Sequence, residues 1–97
     1  MNPDFEAIPL QQDAARQQLL LTVNQYPSFI SYRMEANKIF LEHTEVNAAL
    51  KGMGVGSALV EKVLQYAKAH QLKVVAHCPF VAAYIKKHPN WAGILAG

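Results

Sequence analysis

With one cysteine in 97 residues, the chain forms no internal disulfide, and the expected compartment is a reducing one, the cytoplasm. No apolar run approaches the ~20 residues that span a bilayer, so a membrane protein is not expected. The opening MNPDFEAIPLQQD has neither the basic region nor the apolar stretch of a signal peptide. Net charge is only +2, and the lysines are scattered over positions 38, 51, 62, 68, 73, 86 and 87 without a block of like charge. That distribution argues against a nucleic-acid-binding face. His43, His70, His77, Cys78 and His88 show no CxxC or HxxxH spacing, so no metal site is expected. Repeats, low-complexity tracts and linkers are also missing, and the length predicts a single domain over residues 1–97.

What the chain does carry is periodic. Residues 1 to 16 have two prolines and no clean period, and read as a loosely packed arm in which DAARQQLLL extends a short helix. From Gln18 the period is two: Leu19, Leu21 and Val23 share one face of a strand, which Tyr26-Pro27 breaks. Ile30, Tyr32 and Met34 then alternate with polar residues, EANK turns the chain, and KIFLEHTEV forms a third strand. In that strand Ile39, Leu41, His43 and Glu45 are expected on one face, with Phe40, Glu42, Thr44 and Val46 on the other. Leu59, Val60, Val63, Leu64 and Ala67 repeat at helical spacing, while Glu61, Lys62, Gln65 and Lys68 face away. LKVVA, residues 72 to 76, reads as a buried strand. HCPFVAAYIKKHP opens a second helix with Pro79 in its first turn, ends it before Pro89, and buries Phe80, Val81, Tyr84 and Ile85. The fold class predicted is α+β: an antiparallel meander, a glycine loop with its helix, a buried strand and a C-terminal helix.

Three of the five glycines lie in KGMGVG, between a strand and a helix. The first amides of a helix lack intrahelical partners and carry about half a positive charge, so a glycine-rich approach suits an anion. Ser57 is placed to cap the helix or donate its hydroxyl. The loop is neither a Walker A motif, since Ser57 follows Gly56 directly, nor Gly-x-Gly-x-x-Gly. A phosphate cradle and a simple glycine turn both remain open on these residues alone.

Lys51-Gly52-Met53-Gly54-Val55-Gly56 resembles the Arg/Gln-x-x-Gly-x-Gly/Ala motif of the GCN5-related N-acetyltransferases, with Lys51 in place of Arg or Gln. His43 to Val46, Cys78-Pro79-Phe80, Tyr84 and His88-Pro89 extend the likeness to a compact single-domain subgroup, from about Arg16 to Trp91. The resemblance implies a minimal fold of that superfamily and an acetyl-coenzyme A-dependent transfer to an amine, a protein or peptide lysine among the candidates. It implies that the coenzyme lies between Ile39–Val46 and Leu72–Ala76. Its pyrophosphate would rest on Gly52, Met53, Gly54, Val55, Gly56 and Ser57, flanked by Val46 and Lys51. His43 or Glu45 would take the amine proton, and Tyr84 would protonate the leaving thiolate. Cys78, at a helix start, is expected beside the acetyl group, with direct transfer and an acetyl-cysteine route both open. The competing readings are a non-catalytic acyl-coenzyme A-binding or interaction module, and a cysteine enzyme independent of the coenzyme. The acceptor and the oligomeric state are not indicated.

Overall fold

The alternation beginning at Leu19 buries one side of a sheet. The computed structural model describes residues 3–96, arranged as α1 (Pro3–Glu6), β1 (Gln11–Asp13), β2 (Gln18–Val23), β3 (Tyr26–Glu35), β4 (Lys38–Glu45), a 3-10 turn (Ala48–Leu50), α2 (Val55–Ala69), β5 (Lys73–Ala76), α3 (Pro79–Lys87) and a second 3-10 segment (Pro89–Ile94). The five strands form one sheet in the order β1-β2-β3-β4-β5, antiparallel until the last pair, in which β5 runs parallel to β4. The α+β expectation is met.

One core lies between the sheet and the two long helices. Leu19, Leu21, Ile30, Ile39, Leu41 and Val74 supply its floor, and Leu59, Val60, Val63, Leu64, Val81 and Ile85 its roof. The 3.6-residue period of α2 explains which of its side chains face the sheet. The opposite face of the sheet carries no helix among the described residues. Leu20, Phe29, Phe40 and Val75 are only half-buried there, beside the exposed Arg33, Glu42, His43, Glu45 and His77.

Three local expectations are corrected. DAARQQLLL is not helical. It is the last residue of β1, a turn in which the Arg16 amide donates to the Asp13 carboxylate and Gln17 adopts φ +54°, and the start of β2. The residues before it put Phe5 into the core, and Lys62 Nζ donates to the Glu6 carbonyl. Second, the break after β2 is Asn24-Gln25, both at positive φ, as a two-residue hairpin of twisted strands requires. Pro27 lies inside β3, opposite Thr22. The closing pair of such a hairpin, Val23 and Tyr26, is hydrogen-bonded, so the next pair is not. The Pro27 nitrogen therefore faces away from β2, past the last β3–β4 pair, Phe29 with Glu45.

The third correction matters most. Ser31 pairs with His43, but Tyr32 pairs with Leu41, which leaves Glu42 as an extra residue, a β-bulge. The alternation is reset there. Thr44 falls opposite Ile30 and joins the core side with Leu41, while His43 and Glu45 fall opposite Ser31 and Phe29 on the outer side.

At the sheet's margins, β1 is three polar residues long, and the outer edge of β5 is bridged by Leu95 against Val74, with the Ala96 amide donating to the Val74 carbonyl.

Leu64 is fully buried in the α2 stripe. Leu64→Ala is expected to lower the unfolding free energy by about 2–5 kcal/mol, a large share of what so small a domain has. The midpoint of urea denaturation reads it; a loss below about 1 kcal/mol would contradict this account of the core.

Candidate functional site

The parting of β4 and β5 defines the site. The two strands pair from Lys38/Lys73 to Leu41/Ala76, and the Cys78 amide makes a last hydrogen bond to the Leu41 carbonyl at 2.9 Å. Beyond it β4 runs on to Glu45, while the other chain turns away into α3. The result is a wedge whose vertex lies at Leu41 and Ala76.

At the mouth of the wedge stands the start of α2. Gly54 is its N-cap, at φ +78°, with no side-chain cap, and Gly52 sits at φ +82°. An L-side chain at either position would be strained, which is what the alternating glycines are for. Ser57 is the third residue of the helix and exposed, so it is not the cap. The Lys51 and Met53 amides are engaged by the Ala48 and Leu50 carbonyls of the preceding turn. The first-turn amides of Val55, Gly56 and Ser57 have no acceptor within the helix. Gly56 serves packing as well: a Cβ there would meet Phe80 Cζ at 2.9 Å and Val46 Cγ2 at 3.2 Å. Phe80 is thus not in the core stripe as expected but lies exposed across the helix start. A cleft of about 250 Å³ runs beside this helix start, lined by Phe5, Met53, Gly54, Ser57, Glu61 and Tyr84. It adjoins a second hollow of about 270 Å³ that includes Phe80 and Lys87.

Cys78 caps α3 with Pro79 as its first residue, and is buried with its sulfur 3.2 Å from Thr44 Oγ1. Burial pushes the thiol pKa up, but the Thr44 hydroxyl and the Val81 and Phe80 amides favour the thiolate more, so the net value lies below the ordinary 9.0. His43 and Glu45 stand together on the outer face, Nε2 to Oε2 at 4.0 Å, both exposed. Tyr84 is elsewhere. Its hydroxyl donates to Glu61 Oε1 at 2.5 Å, and Trp91 Nε1 donates to the same oxygen at 2.9 Å. Burial and this carboxylate raise the Tyr84 pKa well above its ordinary 10.0, and the Tyr84 ring stacks on His88 at 4.0 Å. The four expected catalytic side chains are therefore divided: Cys78 on the core side of the wedge, His43 and Glu45 on the outer face, and Tyr84 turned towards α2.

Thr44 and Glu61 were not among the expected site residues. Glu61 reads as solvent-facing because its partners come from 23 and 30 residues further along the chain. The signal that points to it is a buried Trp91 and a half-buried Tyr84, whose N–H and O–H both need an acceptor. No group of three or more metal-ligating side chains is gathered among the described residues, and no helix among them is long and apolar enough to cross a membrane.

The sequence pattern that defines the GCN5-related N-acetyl-transferase family matches residues 18–94. The fold is similar to the solution NMR structure of a GCN5-like protein from Staphylococcus aureus, with a TM-score of 0.70 and 26% identity over 93% of this chain and 89% of that one.

Glu61 generates a pH prediction. Partial burial raises its pKa, but hydrogen bonds from Tyr84, Trp91 and Gln65 outweigh this and hold it below 4.5. Its contribution is therefore present above pH 4.5 and lost as pH falls through the lower folded-state value. Glu61→Gln is expected to cost about 1–2 kcal/mol at neutral pH and to flatten part of the acid decline. Thermal unfolding from pH 3 to 7 checks it; parallel curves for both proteins would refute the assignment.

Proposed function

The chain belongs to the GCN5-related N-acetyltransferase family and is an acetyltransferase, and we propose that it moves the acetyl group of acetyl-coenzyme A to a primary amine. The observation that carries this reading is a parted pair of parallel strands beside a helix start that has no side-chain cap and whose first amides lack an acceptor within the helix. The residues fit the coenzyme. The amides of Val55, Gly56 and Ser57, reached over Gly52 and Gly54, would hold the pyrophosphate, with Met53 and Val46 alongside and Lys51 adding charge. Lys51 lacks the planar fork of arginine, so the backbone carries most of the recognition. The coenzyme supplies an activated thioester.

The protein's own groups divide the remaining work. The free edge of β4 beyond Leu41 faces the wedge, and Cys78 with Thr44 lines its core side, which suits direct transfer past a small, polarizable neighbour. On the outer face His43 and Glu45 are candidates for handling the amine and its proton. Tyr84 holds α3 against α2 through Glu61, and it reaches a leaving thiolate only by exchanging that acceptor. With no helix among the described residues covering it, the outer face suits an amine carried on a large molecule, such as a protein or peptide lysine. The single thiol fits the reducing cytoplasm as the place of action.

Ser57→Glu tests the cradle. A carboxylate in the first turn favours the helix dipole by about 0.3–1 kcal/mol, so folding is retained. The same charge opposes the pyrophosphate, and titration calorimetry with acetyl-coenzyme A is expected to show affinity reduced about tenfold or more. An unchanged affinity would move the phosphates elsewhere, and no heat from the native protein at millimolar coenzyme would overturn the reading.

A further inference from the structure

Glu42 and His77 are the first residues past the last paired rung of β4 and β5, Leu41 with Ala76. They meet across the vertex of the wedge: His77 Nδ1 lies 2.8 Å from Glu42 Oε2. The contact is on the outer face, because the His77 ring is 5.6 Å from Phe40, and Arg33 lies over that same Phe40 at 4.0 Å. Arg33 Nε also approaches Glu42 Oε1 at 3.5 Å, while its Nη1 binds Glu35 at 2.7 Å. The charged and titratable groups around the imidazole are thus Arg33 and Glu35 from β3, Glu42 from β4, and Cys78 next in the chain.

The pairing fixes the chemistry of the ring. The hydrogen bond from His77, aided by the charge of Arg33, outweighs the desolvation that would raise it and holds Glu42 below its ordinary 4.5, so it is an ionised acceptor at neutral pH. An acceptor-only carboxylate requires the hydrogen on Nδ1, which leaves Nε2 of the neutral ring with a free lone pair. His77 is half-exposed, so that nitrogen is open to an incoming group. His43 is held less closely: among the described residues the carboxylate it approaches, that of Glu45, is 4.0 Å away, and it lies further along β4 from the vertex.

We propose that Glu42 and His77 form a dyad in which His77 Nε2 takes the proton of the acceptor amine at the vertex of the wedge. The proposal rests on the acetyl-transfer reading above. The amine nitrogen forms a bond to the thioester carbonyl carbon, and its proton passes to Nε2. The C–S bond breaks with its electron pair left on sulfur, and the imidazolium proton is returned to that thiolate directly or through water. Glu42 orients the ring and stabilises the imidazolium, with its own charge balanced by Arg33. Cys78, on the core side, is not required to carry a proton.

The test uses the full chain with acetyl-coenzyme A and Nα-acetyl-lysine amide, following thiol release against pH, with coenzyme affinity measured separately by calorimetry. His77→Asn keeps an N–H donor to Glu42 and removes the base; kcat is expected to fall about a hundredfold with affinity unchanged. Glu42→Gln is expected to lower kcat about tenfold with the KM for the amine unchanged. Free imidazole is expected to restore about tenfold of the activity lost in His77→Ala, which a mere clasp between strands would not allow. The dyad is overturned if His77→Asn turns over normally, if imidazole restores nothing, or if His43→Gln alone abolishes turnover. In those cases the native enzyme still works, and the acetyl-transfer reading survives. A native protein that binds the coenzyme but releases no thiol to the amine overturns both.

Discussion

A single hydrogen bond, from the Cys78 amide to the Leu41 carbonyl, is the hinge pin of this small structure. It is the last backbone hydrogen bond joining β4 to the chain that leaves β5. One residue later the chain enters α3, whose first residue is a proline and so has no amide hydrogen to continue the ladder. On the other strand the bulge at Glu42 changes the twist at the same level. Both strands therefore depart from regular pairing within one residue of each other, and the gap opens without cutting into the core. Thr44 is brought to the core side and meets Cys78, and Glu42 and His77 are left face to face on the outer side.

Away from the gap, the helices that flank it are tied to each other. Glu61 gathers Tyr84 and Trp91 onto one carboxylate oxygen, tying α2 to α3 and to the closing 3-10 segment. Two donors on one ionised acceptor, partly shielded from water, are stronger than the isolated surface ion pairs elsewhere on the chain. At the other end of the same helix pair, Gly56 lets Phe80 and Val46 close in. One contact is tight because a charge demands it, the other because a side chain is missing.

Much of this was legible in the sequence wherever burial imposes a period. Leu19, Leu21 and Val23, then Ile39 and Leu41, then the α2 stripe from Leu59 to Ala67, all fall where alternation or helical spacing places them. The glycine loop was legible because positive φ at Gly52 and Gly54 leaves few other residues to choose. The bulge was not, since no glycine marks it and an extra residue in a strand leaves no trace until its partner is known. The sides taken by His43, Thr44 and Glu45 were misread for that reason alone. Pro27 read as a break because its harmlessness depends on where β4 ends, a fact of the whole sheet and not of the local stretch.

The margins of the sheet have a consequence for how copies of the chain meet. On one side β1 offers only Gln11, Gln12 and Asp13, too short and too polar to template a neighbour. On the other, Leu95 bridges to Val74 and the Ala96 amide occupies the Val74 carbonyl, one of the groups through which β5 would recruit another strand. A five-stranded sheet with one bare face is the kind of surface from which ribbon-like aggregates grow, and growth of that kind proceeds edge to edge. Among the described residues Leu95 and Ala96 thus cover one rung of that edge, at Val74, and leave the β4 edge beyond Leu41 open only towards the wedge.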